Sequence, residues 1–112
     1  MKCAYFRDDL CSSCPSIETA YTAQVQAKQE HARALLAAYP QLQWLDPVTS
    51  AEAGFRNKAK LVVGGSAKNP TLGIVDYRTG ASTDLGECPL YMEPIQATIP
   101  VLRELIQRTD LT

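Results

Sequence analysis

The sequence predicts an α+β domain in which a small antiparallel sheet is flanked by two main helices. Three observations predict it. Apolar residues recur at three- and four-residue steps over residues 16–39, alternate with polar residues over residues 55–77, and return to helical steps over residues 94–108. Helices and strands grouped in separate runs favour the α+β class. At 112 residues and 46% hydrophobic content, residues 1–112 have the size of a single domain.

The first predicted helix runs from Ser16 to Tyr39. Its apolar positions fall on one face, and they are Ile17, Tyr21, Val25, Ala32, Leu35, Leu36 and Tyr39. We expect Pro15 or Ser16 to begin this helix and Pro40 to end it, because proline cannot donate the backbone hydrogen bond of a helix interior.

The predicted sheet follows a connector that holds the only tryptophan, Trp44. The predicted strands are Phe55–Val63, Thr71–Tyr77, Ser82–Leu85 and a short edge strand at Leu45–Thr49, where proline is tolerated. Turns are expected around Gly64-Gly65, Asn69-Pro70 and Arg78-Thr79-Gly80.

The second main helix is predicted from Pro94 to Arg108. Its inward positions are Ile95, Ile99, Leu102, Leu105 and Ile106. Pro100 interrupts this segment, so the regular part of the helix is expected to begin only there.

Four cysteines carry the strongest chemical signal in the chain. Cys3, Cys11 and Cys14 follow a C-x7-C-x2-C pattern, and Cys88 follows after a gap of seventy-three residues. Cys14 and Cys88 are each followed by proline, as the closing ligand of an iron–sulfur site often is. The pattern predicts a four-cysteine iron–sulfur site that links the N-terminal loop to the start of the last helix. Unpaired amides at the helix starts after both Cys-Pro steps would favour the thiolates.

Two other chemistries stay open for the same thiols. Zinc accepts four cysteine ligands, although structural zinc sites usually have two C-x2-C pairs and this chain has one. Disulfides require an oxidising compartment, and the N-terminal residues contain no apolar signal segment. We favour iron–sulfur over zinc and zinc over disulfides, and we expect a cytoplasmic protein.

The charge pattern singles out one segment. The chain has a net charge of −1, and no apolar run approaches the ~20 residues of a membrane span, so no membrane partner is expected. Arg56, Lys58 and Lys60 alternate along the predicted strand, which would place them on one face. Such a basic face suits a nucleic acid backbone, and the alternative is an ordinary solvated face. No residue of the chain is predicted to be catalytic, and the lone histidine, His31, is expected on the surface.

Three motifs of this chain occur in the same order in a known family. They are the cysteine pattern, the stretch Gly54-Phe55-Arg56-Asn57-Lys58-Ala59-Lys60 and the stretch Cys88-Pro89-Leu90-Tyr91. On these motifs the chain resembles, over essentially its whole length, the N-terminal part of the bacterial iron–sulfur 23S rRNA (uracil-C5)-methyltransferases, in the short type without an N-terminal RNA-binding barrel. The resemblance implies a 4Fe-4S cluster on Cys3, Cys11, Cys14 and Cys88. It also implies that the Phe55–Lys60 segment helps to hold the 23S rRNA substrate.

The rest of the family's chemistry is expected outside this chain. In the family, a C-terminal domain binds S-adenosylmethionine and carries the catalytic cysteine that forms 5-methyluridine. The resemblance therefore implies an enzyme as the full-length protein and no activity for residues 1–112 alone. The competing hypotheses are a stand-alone iron–sulfur electron carrier and a zinc-stabilised interaction module. The sequence carries no signal for an oligomeric state.

Overall fold

The computed structural model describes residues 1–76 and 79–109, and the predicted α+β class is confirmed. In chain order the elements are α1 (Ala4–Arg7), α2 (Tyr21–Leu35), β1 (Val62–Ser66), β2 (Asn69–Val75), β3 (Ser82–Asp84) and α3 (Glu93–Thr109). The described strands form one antiparallel sheet in the order β1-β2-β3.

The hairpin between β1 and β2 turns at Ala67-Lys68, since Ser66 pairs with Asn69. The turn predicted around Gly64-Gly65 and Asn69-Pro70 is confined to the residues between these pairs, because all four residues lie within the paired strands. Glycine serves close packing here: a Cβ on Gly64 would lie 2.8 Å from the Cβ of Ser82. The predicted third strand is confirmed at Ser82–Asp84, while Tyr77 and Arg78 lie outside the described residues.

Residues 55–61 do not form the predicted strand. The backbone pairing of this segment, within the described residues, is one isolated parallel bridge between Arg56 and Tyr91, while the side chains of Ala59 and Leu61 pack against the core. The Gly54 amide donates to the Pro89 carbonyl oxygen at 2.9 Å, and the Met92 amide donates to the Arg56 carbonyl oxygen at 3.1 Å. The alternation of side chains is present in the sequence, but a strand also requires a continuous partner, and β1 finds its partner only from Val62 onward.

The first main helix is shorter than predicted. Residues 15–19 form hydrogen-bonded turns, and α2 begins at Tyr21 and ends at Leu35. The Ile17 amide donates to the Cys14 carbonyl oxygen at 3.1 Å, which starts a turn instead of the helix. Ile17 is the one buried member of the predicted inward face, and it precedes α2. No residue of α2 is buried, and Leu35 remains 69% exposed.

The connector returns along α2 as an extended segment. The Tyr21 hydroxyl accepts the Ser50 amide at 2.9 Å, and the Arg33 guanidinium lies 5.5 Å from the centre of the Trp44 ring. Twelve helical residues span about 18 Å and six extended residues span about 20 Å, so the two contacts fit an antiparallel return. Residues 45–49 form no β-ladder with another strand, so the predicted edge strand there is wrong.

The hydrophobic core lies between the sheet and α3. Its buried residues are Leu72, Tyr91, Ile99 and Ile106. Helix α3 begins at Glu93 and continues through Pro100, so the expected late start at that proline is wrong. Of the predicted inward positions, Leu102 and Leu105 stay 39% and 51% exposed. Cys88 packs against this core, which places it at the boundary between the core and the N-terminal loop.

One ion pair links α3 to the sheet. The Arg103 guanidinium pairs with the Asp84 carboxylate and donates to the Pro70 carbonyl oxygen at 2.6 Å. The same carboxylate accepts the Leu72 amide at 2.8 Å. Burial alone would raise the pKa of Asp84, but the hydrogen bonds from Arg103 and Leu72 outweigh burial and lower the pKa below its usual value.

Candidate metal centre

The four cysteines line one cavity. Cys3, Cys11, Cys14 and Cys88 all contribute to the wall of a space of about 80 Å³, together with Arg56. This volume is several times the ~10–15 Å³ that a single water molecule requires. All four thiols are free and half-buried. The structure therefore brings the distant cysteine to the three N-terminal ones, as the sequence pattern predicted.

A short helix and a reversal position the three N-terminal cysteines. Cys3 immediately precedes α1, a single helical turn that no sequence pattern within the loop predicts. The amides of Leu10 and Cys11 both donate to the Tyr5 carbonyl oxygen, at 2.8 and 3.1 Å. Asp9 adopts a positive φ of 54°, a conformation that aspartate tolerates better than most residues. The chain therefore folds back, so Cys11 comes close to the residues that precede α1.

Tyr5 connects this loop to the distant cysteine. Its hydroxyl accepts the Glu87 amide at 3.0 Å, one residue before Cys88. Burial raises the pKa of Tyr5, which keeps the hydroxyl neutral. The position of Tyr5, two residues after Cys3, is the sole signal in the sequence for a role near the site.

The thiols share a partly desolvated environment. Burial raises the pKa of Cys14, the neighbouring Cys11 and Cys3 raise it further, and the Arg56 guanidinium opposes them. Burial also raises the pKa of Cys88, while a backbone hydrogen bond from Leu90 and the charge of Arg56 act in the opposite direction. Metal binding requires the thiolates, so it would release protons from these groups.

The Cys-Pro steps lead into turns and not directly into helices. Helix α2 begins seven residues after Cys14, and α3 begins five residues after Cys88, so the predicted stabilisation of thiolates by helix starts is wrong. At Cys88 a local donor replaces it. Pro89 has no amide hydrogen, and the next amide, that of Leu90, acts to lower the pKa of the Cys88 thiol.

The basic residues of the 55–61 segment divide into two groups. All three side chains are exposed, and Arg56 and Lys60 also line the cysteine cavity, whereas Lys58 does not. The strand on which the shared face was predicted is absent. Whether these side chains bind RNA stays a prediction. His31 is exposed on α2, as expected.

The donor set of the cavity is suited to soft metal chemistry. Its candidate ligands are thiols, which select zinc, copper(I) and iron–sulfur clusters. Among residues 1–76 and 79–109, no three His, Cys, Asp or Glu side chains are grouped as a site for one metal ion. In the same part of the chain, no helix has the length and hydropathy that a membrane crossing requires.

Comparison with known proteins shows which family the chain resembles. No family model and no solved structure matches the chain. Three similar proteins are each named "23S rRNA (uracil(747)-C(5))-methyltransferase RlmC": those of Enterobacter sp. (strain 638), Serratia proteamaculans (strain 568) and Yersinia pestis (strain Pestoides F), at 43%, 40% and 42% identity over all 112 residues. The resemblance to this methyltransferase family is confirmed. The match corresponds to the N-terminal part of these RlmC proteins, and the chain spans 30% of their length.

Proposed function

We propose that this chain is the cluster-bearing N-terminal part of an S-adenosylmethionine-dependent 23S rRNA (uracil-C5)-methyltransferase. A 4Fe-4S cluster is held by Cys3, Cys11, Cys14 and Cys88, and the domain helps to bind the rRNA in the cytoplasm. The observation that carries the proposal is the convergence of these four cysteines on one cavity. The similarity to the RlmC proteins over the whole chain supplies the reaction.

The spacing of the cysteines supports a cluster over a single zinc ion. Structural zinc sites usually have two C-x2-C pairs, whereas this chain has one such pair and two single cysteines. All four thiols line a common space. The same spacing argues against the zinc-stabilised interaction module.

The position of the site supports a role in folding and positioning. The cavity joins residues 3–14 to residue 88, and its wall includes Arg56 and Lys60. Metal ligation would thus fix the basic segment relative to the core, because ligand binding contributes folding free energy. A fixed array of cations binds an RNA backbone more strongly than a mobile one, since less conformational entropy is lost on binding.

The chemical step lies outside residues 1–112. The RlmC proteins are more than three times the length matched here, and all four cysteines of residues 1–112 are assigned to the cluster, so none remains as the catalytic cysteine. S-adenosylmethionine binding and methyl transfer are therefore assigned to the part of the enzyme that this chain does not match. Residues 1–112 alone are expected neither to bind S-adenosylmethionine nor to methylate RNA.

The test uses the native protein in its host. Replacing Cys88 by serine should strongly reduce one 5-methyluridine in 23S rRNA, measured by mass spectrometry of nuclease digests. Ser12→Ala is the control, because Ser12 is exposed between Cys11 and Cys14 and does not line the cavity. Deleting the gene should abolish the same modification. Unchanged 5-methyluridine in the deletion strain would refute the proposed function.

A further inference from the structure

We infer that Arg56 is the positioning cation of the four-cysteine cavity, where it retains the cluster and sets its potential. This inference rests on the proposed cluster and deepens it. The sequence pattern placed Arg56 with Lys58 and Lys60 as an RNA contact, whereas the structure assigns it to the wall of the metal site.

The backbone of Arg56 is fixed against the loop that carries Cys88. Its amide donates to the Leu90 carbonyl oxygen at 2.8 Å, and its carbonyl oxygen accepts the Met92 amide at 3.1 Å. These two bonds form the parallel bridge opposite Tyr91, which is buried in the core. The backbone of Arg56 is thus anchored to residues 90–92, which begin two residues after Cys88.

The side chain has an electrostatic reason to face the thiolates. Four thiolates around a 4Fe-4S core carry a net negative charge in both common oxidation states, and a nearby guanidinium offsets it. Among the described residues, no carboxylate pairs with Arg56 and none lines the cavity. Glu52, the acid closest in sequence, pairs instead with the N-terminal ammonium at 3.5 Å. The charge of Arg56 therefore stays available to the cavity that the four thiols line.

A cation at this position has a defined effect on the cluster. Net charge, hydrogen bonds and solvent exposure set the reduction potential of iron–sulfur centres. Reduction adds negative charge, so a nearby cation stabilises the reduced form and raises the potential. Neutralising Arg56 should lower the potential and weaken retention. Lys60 also lines the cavity, but it does not share the backbone bridge that fixes Arg56.

The experiment compares four anaerobically prepared proteins: wild type, Arg56→Gln, Arg56→Lys and Lys58→Gln. The readouts are the midpoint potential and the rate of iron loss to a chelator. Arg56→Gln should have a lower potential and lose iron about tenfold faster, the lower end of the usual effect of changing a group next to a metal ligand. Arg56→Lys should restore most of both properties. Lys58→Gln, which removes the same charge outside the cavity, should match the wild type.

The outcomes separate this inference from the proposed function. A wild-type protein without iron and sulfide would refute the cluster itself. A loaded wild type with Arg56→Gln indistinguishable from Lys58→Gln would refute the role of Arg56 alone. If Arg56→Gln fails to load, loading restored by Arg56→Lys would support the charge effect. If both variants fail to load, the charge effect is refuted, because cluster loading would then require the shape of the guanidinium group and not its charge.

Discussion

The four cysteines reach their common cavity by different routes. Cys3, Cys11 and Cys14 are brought together by local bonds around α1, within a span that the spacing alone makes plausible. Cys88 follows β3 in the chain and is brought to the cavity by long-range contacts, among them the bond between the Tyr5 hydroxyl and the Glu87 amide. The pattern of thiols could therefore be predicted from the sequence. The polar and cationic groups around them could not, because they depend on long-range contacts.

The two lysines of the basic segment should contribute to rRNA binding through phosphate contacts. Replacing Lys58 or Lys60 by alanine in the native protein should weaken binding. It should also flatten the slope of log affinity against log salt by about 0.7 to 0.9 for each phosphate that is no longer neutralised, since each such contact releases counterions. The measurement is a binding titration against a 23S rRNA fragment at several salt concentrations.

The control for this prediction is Lys68→Ala, a change of the same charge at the exposed turn between β1 and β2. Stability should change little in all three variants, because exposed charges contribute little to folding. An unchanged salt slope in a Lys58→Ala, Lys60→Ala double variant would contradict the phosphate contacts and show that both residues belong to an ordinary solvated surface.

At the scale of elements, the ion pair between Asp84 of β3 and Arg103 of α3 should make stability depend on pH. The folded-state pKa of Asp84 lies below its usual value, so the stabilisation is complete above the unfolded pKa of about 3.9 and is lost as pH falls through the folded pKa. Asp84→Asn should cost about 1–2 kcal/mol at pH 7, since part of the side chain remains in water.

The measurement is the free energy of urea unfolding of wild type and Asp84→Asn from pH 7 to pH 3, in the same metal state. The difference between the two proteins should shrink as the pH falls below about 4. Asp46→Asn, an exposed change in the segment that returns along α2, is the control and should have little effect. A difference between Asp84→Asn and wild type that stays constant over this range would contradict the assigned ion pair.

Helices α2 and α3 should differ sharply in protection from hydrogen exchange. Helix α2 has 15 residues and none is buried, and isolated helices of this length are marginal in water. Helix α3 buries Ile99 and Ile106 against β2 and should exchange more slowly. Exchange measured by mass spectrometry should show α2 losing its protection first. Equal protection of the two helices in the free protein would contradict the arrangement described.

The elements also show where sequence patterns fail for physical reasons. Helix α3 and strand β3 were predicted close to their observed bounds, because strong periodicity coincides with burial against a partner. The segment 55–61 has the alternation of a strand but no partner along its length. Gly64 and Gly65 resemble a turn in sequence, yet their missing side chains serve close packing and a positive φ within β1.

At the scale of the whole molecule, the chain is elongated. Its extents are 60 × 31 × 24 Å and its radius of gyration is 18.7 Å, whereas about 13 Å is usual for a compact domain of this length. Helix α2 and the returning segment account for this shape, since they bury none of their own side chains against the sheet. The length of the chain did not predict this shape, because length and composition indicate how large a core can be and not how elongated the molecule is.

The four-cysteine cavity lies where few other contacts connect the N-terminal loop of this elongated molecule to its core. Few bonds connect the N-terminal loop to the core, and the Tyr5 contact is the hydrogen bond described between α1 and the Cys88 loop. Ligation by all four cysteines would add a link between residues 3–14 and 88 that the small core does not supply. The proposed cluster would thus stabilise the fold and hold the basic segment in place.

The most direct measurement is the iron, acid-labile sulfide and zinc content of anaerobically purified protein. We expect iron and sulfide in comparable amounts. Both should be lost when any one of Cys3, Cys11, Cys14 or Cys88 is replaced by serine, whereas Ser12→Ala should keep both. Stoichiometric zinc without sulfide in the native protein would contradict the proposed cluster.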